Sequence, residues 1–273
     1  MSGGTKGISS SNLTLVGNGS VGKTSIVQRF QDDGFQKQYK QTLGCDFYEK
    51  TMEFRGSVVK CTVWDIGGQS LGSSNLPNYV TGSTVLFLCY DVTDPQSFSD
   101  LLDWLSMIQR AFAQKNDSIR KETEEYNSTS ANTRKRVKKT KLVPLPKIYL
   151  VGNKIDLIGY RRVTEKQHQK FVEDENLSGG FFMSASTGEN VLTVFYKVTA
   201  RTVGIELTSY ELDFTKKVLS VVVQGEGGEE KKMSGSEAIE AEDAKAHENV
   251  LNMLQAGNQR RNSNIDNCNC NIN

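Results

Sequence analysis

The sequence lacks any long apolar run and any marked excess of charge of one sign. Among its 273 residues, 33 Lys and Arg nearly balance 32 Asp and Glu, so the formal net charge is +1. Because attraction to nucleic acid needs a basic excess, we expect no nucleic-acid partner. No segment approaches the roughly 20 apolar residues of a membrane span, and the first residues lack the apolar core of a secretory signal. These absences predict a cytosolic protein of one ordinary-sized domain with additional segments.

Cysteine is also scarce, with five residues in the chain. Cys45, Cys61 and Cys89 lie in strand-like segments, and in a cytosolic protein we expect them to be reduced core side chains. Cys268 and Cys270 lie instead near the end of a polar tail. The two groups therefore call for separate interpretations.

A glycine-rich stretch, residues 17–25 (GNGSVGKTS), follows the apolar residues 13–16 and precedes an amphipathic segment that begins at Ile26. Glycines let a backbone approach a polyphosphate closely, and a helix N-terminus adds N–H donors and a positive dipole end. Lys23 suits the β- and γ-phosphates, and the Thr24 hydroxyl suits a Mg²⁺ ion that carries phosphate oxygens. The flanking strand and helix favour this interpretation over a plain glycine-rich turn. The predicted phosphate-binding residues are Gly17, Gly19, Ser20, Val21, Gly22, Lys23, Thr24 and Ser25.

Strand and helix patterns alternate along the rest of the domain. Residues 45–54 and 57–65 predict an antiparallel hairpin around a turn at Arg55. Strands that alternate with helices form a mostly parallel sheet covered on both faces. We therefore predict an α/β fold with six strands, one of them an antiparallel edge strand. Further strands are expected at 84–90, 148–152 and 180–184, and further helices at 97–113, 164–175 and 190–204.

Three segments fall outside this pattern. Residues 1–11 are rich in Gly and Ser, and we expect them to be disordered. Residues 114–146 are charged and rich in Ser, Thr and Asn, which predicts a mostly disordered surface insertion. Its basic run, 134–141, is interpreted as a solvated surface, with contact to acidic lipid or a partner as the alternative. Residues 207–273 predict a flexible hypervariable tail, so the domain spans 12–206.

Five short motifs occur in order within the domain, and their order and spacing resemble the nucleotide motifs of Ras-like small GTPases. Each motif alone is a weak signal, but five in order are a strong one. The resemblance implies the P-loop small-GTPase fold, binding of GTP and GDP with Mg²⁺, and GTP hydrolysis that is slow without an activating protein. The motifs are residues 17–24, Thr42, residues 65–69, residues 153–156 and residues 184–186.

The resemblance also implies that the base is guanine. Asp156 offers two carboxylate oxygens to the paired N–H donors of guanine, whereas adenine presents the wrong edge. By the same resemblance Asn153 braces the loop, Lys154 lies along the base, and the Ala185 N–H donates to the guanine carbonyl. Phe35 is expected to lie edge-on against the base. The implied base-binding residues are Phe35, Asn153, Lys154, Asp156, Ser184, Ala185 and Ser186.

Phosphoryl transfer needs negative charge neutralised and a water molecule held in line. The resemblance implies that Gln69 orients this water. Thr42 and the Gly68 N–H contact the γ-phosphate only while it exists, so hydrolysis is expected to release both loops and make the molecule a switch. The implied metal ligands are Thr24, Thr42 and Asp65, and the implied catalytic residues are Lys23, Gly68 and Gln69.

Among small GTPases, the chain is most similar to the Rab family. Residues 39–47 (YKQTLGCDF) resemble the Rab effector loop. Phe47, Trp64 and Tyr79 match the aromatic triad through which Rab effectors sense the nucleotide state, and core packing is the simpler alternative role. Residues 64–70, residues 152–157 and the last four residues of the chain together resemble the divergent Rab group numbered twenty-eight, whose members are linked to cilia and flagella.

The chain departs from the Rab pattern at three places. Ile66 and Gly67 replace the usual Thr-Ala, which is expected to loosen the second switch and alter intrinsic hydrolysis. Ser186 stands where a Lys usually follows Ser-Ala, a change of small consequence because the backbone makes the main contact. The third departure is the insertion at 114–146, which is longer than Rab proteins normally carry.

The last four residues, Cys270 to Asn273, have the form of a prenylation box. The terminal Asn favours farnesyl over geranylgeranyl, and Cys268 is a candidate for a second lipid. The alternative is a chance terminal cysteine. Because one lipid chain binds membranes only marginally, a second signal is needed, from Arg260-Arg261, the run 134–141 or a protein partner.

Three hypotheses of function follow. The leading one is a prenylated, monomeric Rab-like GTPase that cycles between the cytoplasm and the cytosolic face of an intracellular, ciliary or flagellar membrane. It recruits effectors while GTP-bound, under the control of an exchange factor and a GTPase-activating protein. The second is a guanine-nucleotide-binding scaffold with little or no hydrolysis, based on Ile66-Gly67 and the insertion. The third, an adenine nucleotide kinase or ATPase, is disfavoured by residues 153–156.

Overall fold

Residues 8–32, 40–73, 75–131 and 139–212 are described by a computed structural model of the chain. The strands are β1 (Ser9–Val16), β2 (Cys45–Phe54), β3 (Ser57–Ile66), β4 (Val85–Asp91), β5 (Lys147–Asn153) and β6 (Gly180–Phe182). The helices are α1 (Lys23–Asp32), α2 (Leu76–Val80), α3 (Pro95–Ser99), α4 (Leu101–Ala131), α5 (Glu165–Asp174) and α6 (Val191–Thr202). Within these ranges, no helix combines the length and the apolar character that crossing a bilayer requires.

The six strands form one sheet in the order β2-β3-β1-β4-β5-β6. Strand β2 pairs antiparallel with β3 at one edge, and every other pairing is parallel. This topology confirms the predicted fold class. The chain moves from β1 to neighbours on both sides, so β1 and β4 flank the point where ligands bind in open α/β sheets, beyond the carboxyl ends of the strands.

Each face of the sheet has its own hydrophobic core. Helices α1 and α6 cover one face, where the Phe30 and Phe195 rings stack with centroids 4.1 Å apart. Helices α2, α4 and α5 cover the other, around the fully buried Trp104. Along β4, Phe87 enters the first core and Leu88 the second, so burial on both faces explains the continuous apolar sequence of this strand.

Helix α4 differs most from the sequence prediction, because it continues to Ala131 instead of ending at Ala113. The prediction of a disordered insertion over 114–146 is therefore wrong for residues 114–131. Their low hydrophobicity reflects exposure to solvent, while Lys, Arg, Glu and Gln remain good helix formers. Asp117 and Arg120, one turn apart, form an ion pair at 2.9 Å that supports the extension.

The segment after the α4 extension is joined back to it by Asn116. The Asn116 side chain donates to the Val143 carbonyl at 3.0 Å and accepts from the Val143 N–H at 2.8 Å. Val143 also packs against the core beneath α4. This pair of hydrogen bonds links positions 27 residues apart, which no local pattern predicts.

The domain extends beyond the predicted bounds, 12–206, at both ends. Strand β1 begins at Ser9 and Ser9 pairs with Val59, so residues 9–11 belong to the sheet because backbone pairing requires no apolar side chains. At the other end, Leu207 packs against the core. The Arg55 guanidinium bonds both carboxylate oxygens of Glu211, at 2.8 and 2.7 Å, and lowers the pKa of that carboxyl to about 2. The domain therefore continues at least through Glu211.

Several predicted features lie outside the described residues. These are Phe35, residues 134–138 of the basic run, most of the tail, and the candidate lipid sites Cys268 and Cys270.

Candidate functional site

A cavity of about 330 Å³ is lined by the segments that follow β1, β3, β5 and β6. Most of the predicted site residues line it. The remaining described residues of the predicted nucleotide and metal site do not line the cavity, but each is hydrogen-bonded to a residue that does. The lining members of the predicted set are Gly19, Ser20, Gly22, Lys23, Thr24, Ser25, Thr42, Gly68, Gln69, Asn153, Lys154, Asp156, Ala185 and Ser186. The members that do not line it are Gly17, Val21, Asp65 and Ser184.

Lys23 begins α1 and extends back over the phosphate loop. Its ammonium donates to the carbonyl oxygens of Gly17 and Asn18, each at 2.7 Å. Only 5% of the residue is exposed, and burial lowers the pKa of the ammonium while the Asp65 carboxylate acts in the opposite direction. The loop therefore holds a positive charge at the N-terminal end of a helix, which is a favourable position for an anion.

The phosphate loop, residues 17–25, contacts Asn153 at Gly22. Asn153 belongs to the predicted base-binding loops, which follow β5 and β6 and are called the base-side loops below. Gly22 has a φ of +95°, and a side chain there would overlap the Asn153 amide. The Asn153 Nδ2 donates to the Val21 carbonyl at 2.8 Å. Glycine is required at position 22 because of its positive φ and the proximity of Asn153, whose amide is hydrogen-bonded to the loop.

Three polar side chains meet at the junction of the phosphate loop with β3. The Thr24 hydroxyl donates to Oδ2 of Asp65 at 2.5 Å and lies 2.8 Å from the Thr42 hydroxyl. Asp65 is fully buried and its Oδ1 has no hydrogen-bond partner among the described residues. Burial raises the pKa of this carboxyl, and the Thr24 hydrogen bond opposes that shift. A buried carboxylate beside two hydroxyls forms an oxygen-rich site that suits Mg²⁺.

The segment after β3 lies against the phosphate loop. A side chain at Gly68 would overlap the backbone of Asn18 and Gly19, so this segment approaches the loop as closely as a glycine allows. Gln69 follows in a 3₁₀ turn, Gly68–Ser70, and its exposed side chain lines the cavity. Gln69 is thus beside the space where the phosphate chain is predicted.

Ile66 and Gly67, where the chain departs from the Rab pattern, connect two segments of this region. Ile66 ends β3, pairs with Cys45 on β2 and is fully buried. The Gly67 N–H donates to the Gly44 carbonyl at 2.9 Å, which joins the segment after β3 to the segment that contains Thr42. A side chain at position 67 would overlap the Thr42 carbonyl, so the two segments approach as closely as a glycine allows.

The base-side loops are held together by short polar contacts. Ser184 is fully buried and donates to Oδ1 of Asp156 at 2.6 Å. The Lys154 ammonium lies 2.7 Å from Oδ2 of Asp91, which fixes the direction of the lysine stem. The Ala185 N–H donates to Oδ1 of Asn153 at 3.1 Å, so the donor predicted for the base carbonyl already has one acceptor.

The predicted aromatic triad lies away from the cavity, near the edge of the sheet. The Phe47 and Trp64 rings are directly opposite on β2 and β3, with centroids 5.5 Å apart. Trp64 and Tyr79 pack against the same core cluster and are partly buried. Phe47 is 62% exposed, so packing does not explain this ring.

Sequence analysis missed three residues that support the site. Asn18 and Arg29 gave no signal, since Asn18 lies between motif glycines and Arg29 is one charge on an amphipathic helix. Arg29 donates to the carbonyl of Ala185 at 2.9 Å and to that of Ser186 at 2.6 Å. Asp91 did give a signal, because it ends a buried strand as Asp65 does.

A doubly wound sheet with a glycine-rich loop, a lysine and a buried Asp at strand ends defines a P-loop nucleotide-binding protein. The family model described as "Ras family" matches residues 12–121 and 118–204, which is more than half of the chain. The chain therefore belongs to the Ras family.

Two Rab proteins are among its relatives. Ras-related protein Rab-28 of Caenorhabditis elegans is 33% identical over 223 residues, which cover 81% of this chain and 77% of that protein. Ras-related protein Rab-12 of Homo sapiens is 32% identical over 178 residues, 65% of this chain and 60% of that protein. The chain is thus a divergent Rab-like small GTPase, a GTP-dependent switch that hydrolyses GTP.

Proposed function

We propose that the cavity binds a guanine nucleotide with Mg²⁺ and that the chain acts as a prenylated switch in membrane traffic. The observation that carries this proposal is the meeting of Lys23, the Thr24–Asp65 pair and Asp156 around one cavity. The phosphate chain lies along the loop of residues 17–25, and the base lies against the loops that follow β5 and β6. Exchange factors, GTPase-activating proteins and effectors are its protein partners, and the chain itself is a monomer.

Thr24, Thr42 and Asp65 are the residues that would hold Mg²⁺. The unpartnered Oδ1 of Asp65 supports this assignment, because a buried carboxylate oxygen without a partner is costly unless a cation or a donor satisfies it. When bound, the ion neutralises charge on the phosphate oxygens. Lys23 supplies a second positive charge from the side of α1.

Guanine specificity resides in Asp156. Its carboxylate accepts from the two N–H donors on one edge of guanine, and the Ser184 hydroxyl holds the carboxylate in place. The Lys154 stem lies against the base. The Ala185 N–H is shared between Asn153 and the base carbonyl, because Asn153 lies 3.1 Å from it.

Hydrolysis depends on Gln69, which orients the attacking water, and on the Gly68 N–H, which donates to the γ-phosphate. Gly68 is held against Gly19, so it is already next to the phosphate loop. Loss of the γ-phosphate removes a contact from both Thr42 and Gly68. Since Gly67 and Gly44 are hydrogen-bonded, the two segments respond together.

Effectors read this change at the aromatic triad. Phe47 lies two residues beyond Cys45, which pairs with Ile66 at the end of β3, so the exposed ring is close to both switch segments. The Trp64 ring lies 5.5 Å from it, and Trp64 and Tyr79 pack against the same core cluster. The triad therefore joins a recognition surface to the segments that contact the nucleotide.

Membrane attachment occurs through a prenyl chain on Cys270, with Cys268 as a second candidate. The proposed location is the cytoplasm, with cycling to the cytosolic face of an intracellular, ciliary or flagellar membrane. The similarity to Rab-28 and the form of the terminal residues support this proposal.

Single-turnover GTP hydrolysis tests the catalytic proposal. The GTP-loaded wild type should convert GTP to GDP at a measurable rate, and Gln69→Leu should lower that rate by about tenfold or more. Gln109→Leu, on the exposed face of α4, is the matched control and should leave the rate unchanged. Equal, measurable rates in wild type and Gln69→Leu would reject the assigned role of Gln69, whereas no measurable rate in the wild type would favour the scaffold hypothesis.

A further inference from the structure

The Asn18 side chain bridges the phosphate loop and the helices that follow β4. Its Nδ2 donates to Oδ2 of Asp100 at 2.6 Å, and its Oδ1 accepts from the Trp104 indole N–H at 2.9 Å. Asp100 follows α3 and immediately precedes α4, and Trp104 is fully buried in the first turn of α4. A residue between two loop glycines is thereby attached to a rigid element that lies 82 to 86 residues away in the sequence.

The two partners fix the orientation of the Asn18 amide without ambiguity. An indole N–H can only donate, so it must face the amide oxygen, and a carboxylate can only accept, so it must face the amide nitrogen. Both neighbours require the same orientation. An Asp at position 18 would satisfy Trp104 but would place a second carboxylate against Asp100.

The backbone of Asn18 faces the predicted phosphate site. Its carbonyl is one of the two oxygens that hold the Lys23 ammonium, at 2.7 Å. The Asn18–Gly19 backbone also lies directly against Gly68, in the segment that follows β3. A displacement of residue 18 therefore moves both the lysine and the surface on which Gly68 rests.

We infer that Asn18 is a positioning residue that holds the phosphate loop in its nucleotide-binding form by fastening it to Asp100 and Trp104. Glycines on both sides leave the backbone of residue 18 with little conformational restraint of its own. The two side-chain hydrogen bonds supply that restraint. The inference rests on the proposed nucleotide function of the cavity, and it adds a determinant of nucleotide retention that touches no part of the nucleotide.

Release of a fluorescent GDP analogue, with Mg²⁺ present, tests the inference. Asn18→Ala and Asn18→Asp should each release the analogue about tenfold faster than wild type, the change expected when one or two good hydrogen bonds are lost. The reciprocal exchange, Asn18→Asp with Asp100→Asn, restores a donor and acceptor pair and should return release to within about threefold of wild type. Gln96→Ala is the control and should leave release unchanged, because the Gln96 side chain donates to Oδ1 of Asp100, at 2.6 Å, whereas Asn18 donates to Oδ2.

The indole N–H resonances give a second readout. The chain has two tryptophans, so both signals can be assigned by substitution. Asn18→Ala should shift the Trp104 indole resonance and leave that of Trp64 in place, whereas general loss of structure would move both. This measurement remains informative if a variant is too unstable for kinetic work.

The outcomes distinguish a failure of the positioning role of Asn18 from a failure of the proposed nucleotide function. If wild type retains the analogue and the Asn18 variants release it at the wild-type rate, the positioning role is overturned while the proposed function stands. Failure of the reciprocal exchange to restore slow release would also overturn it. A wild type that retains no guanine nucleotide overturns the proposed function and this inference with it.

Discussion

The Thr24 hydroxyl donates to Oδ2 of Asp65 across 2.5 Å, which joins the first turn of α1 to the end of β3. The second carboxylate oxygen of Asp65 is buried and has no partner among the described residues. Asp65 thus makes a structural hydrogen bond through Oδ2, while its Oδ1 is the carboxylate oxygen assigned to the proposed metal. The same carboxylate therefore holds α1 in place and is a ligand of the proposed metal.

Asp65→Asn tests the metal assignment. In wild type, chelation of Mg²⁺ should accelerate GDP release by about tenfold or more, because the ion would be held by Thr24, Thr42 and Asp65 and would neutralise charge on the phosphates. The amide is a weaker ligand than a carboxylate, so the variant should release GDP quickly and respond to chelator by less than about threefold. Asp103→Asn, on the exposed face of α4, should respond as wild type does. An unchanged chelator response in Asp65→Asn would contradict the assignment.

Ser184→Ala tests how Asp156 is held. The substitution removes a 2.6 Å hydrogen bond to Oδ1 of Asp156 without adding bulk. We expect GDP affinity to fall by about fivefold to tenfold, which corresponds to roughly 1 kcal/mol. Calorimetric titration of nucleotide-free protein measures it. Ser99→Ala, whose hydroxyl bonds the Pro95 carbonyl within α3, is the control, and an equal loss in both variants would show that the Asp156 contact is not responsible.

His168 predicts a dependence of stability on pH. It is 3% exposed, its Nδ1 lies 3.0 Å from the Tyr90 hydroxyl, and burial, aided by the Arg161 charge, lowers its pKa to about 4. As the pH falls, His168 takes up a proton in the unfolded chain before it does so in the folded protein. The stability that the neutral, buried His168 contributes is therefore complete above about pH 6.5 and is lost as the pH falls towards 4. Between pH 7 and pH 5 the free energy of unfolding should fall by about 2 kcal/mol.

Urea unfolding at the two pH values checks this expectation. His168→Phe should reduce the difference between pH 7 and pH 5, since the titrating group is gone. The chain has one other histidine, His247, and His247→Gln should keep the full difference. A His168→Phe protein that loses as much stability as wild type would show that other groups account for the effect.

Cys270→Ser tests the lipid anchor. Wild type, expressed with a labelled isoprenoid precursor, should carry the label and divide between membrane and cytosol, as expected for a single chain. The serine variant should carry none, and its membrane fraction should fall by about tenfold. Asn269→Ser is the matched control, and Cys268→Ser shows whether a second cysteine contributes. Full labelling of Cys270→Ser would reject this anchor.

The site was largely predictable because its residues follow buried strands. The carboxyl ends of parallel strands meet at one edge, so the phosphate loop after β1, Asp65 at the end of β3 and Asn153 at the end of β5 had to come together. Gly22 was equally visible, since a glycine in a phosphate loop has few other reasons to be there. These positions depend on local pattern together with topology.

The features that sequence analysis missed depend on contacts between distant residues. Asn18 acquires its role from Asp100 and Trp104, and Val143 is joined to α4 by the Asn116 side chain. The α4 extension itself was missed for another reason. Its helix is stabilised by exposed residues of high helix propensity, and a search for apolar periodicity does not detect such a helix.

Nucleotide retention by the wild type and Asp156→Asn tests the central claim most directly. Both proteins are stripped of nucleotide, loaded in the presence of Mg²⁺ with GDP, XDP or ADP, and separated from free nucleotide. The account predicts that wild type retains GDP and neither of the others, and that Asp156→Asn retains XDP in place of GDP, because the amide donates to the second carbonyl of xanthine. A wild type that retains no GDP, or a variant that retains GDP as well as wild type does, would contradict the claim that this cavity is a guanine-nucleotide site read by Asp156.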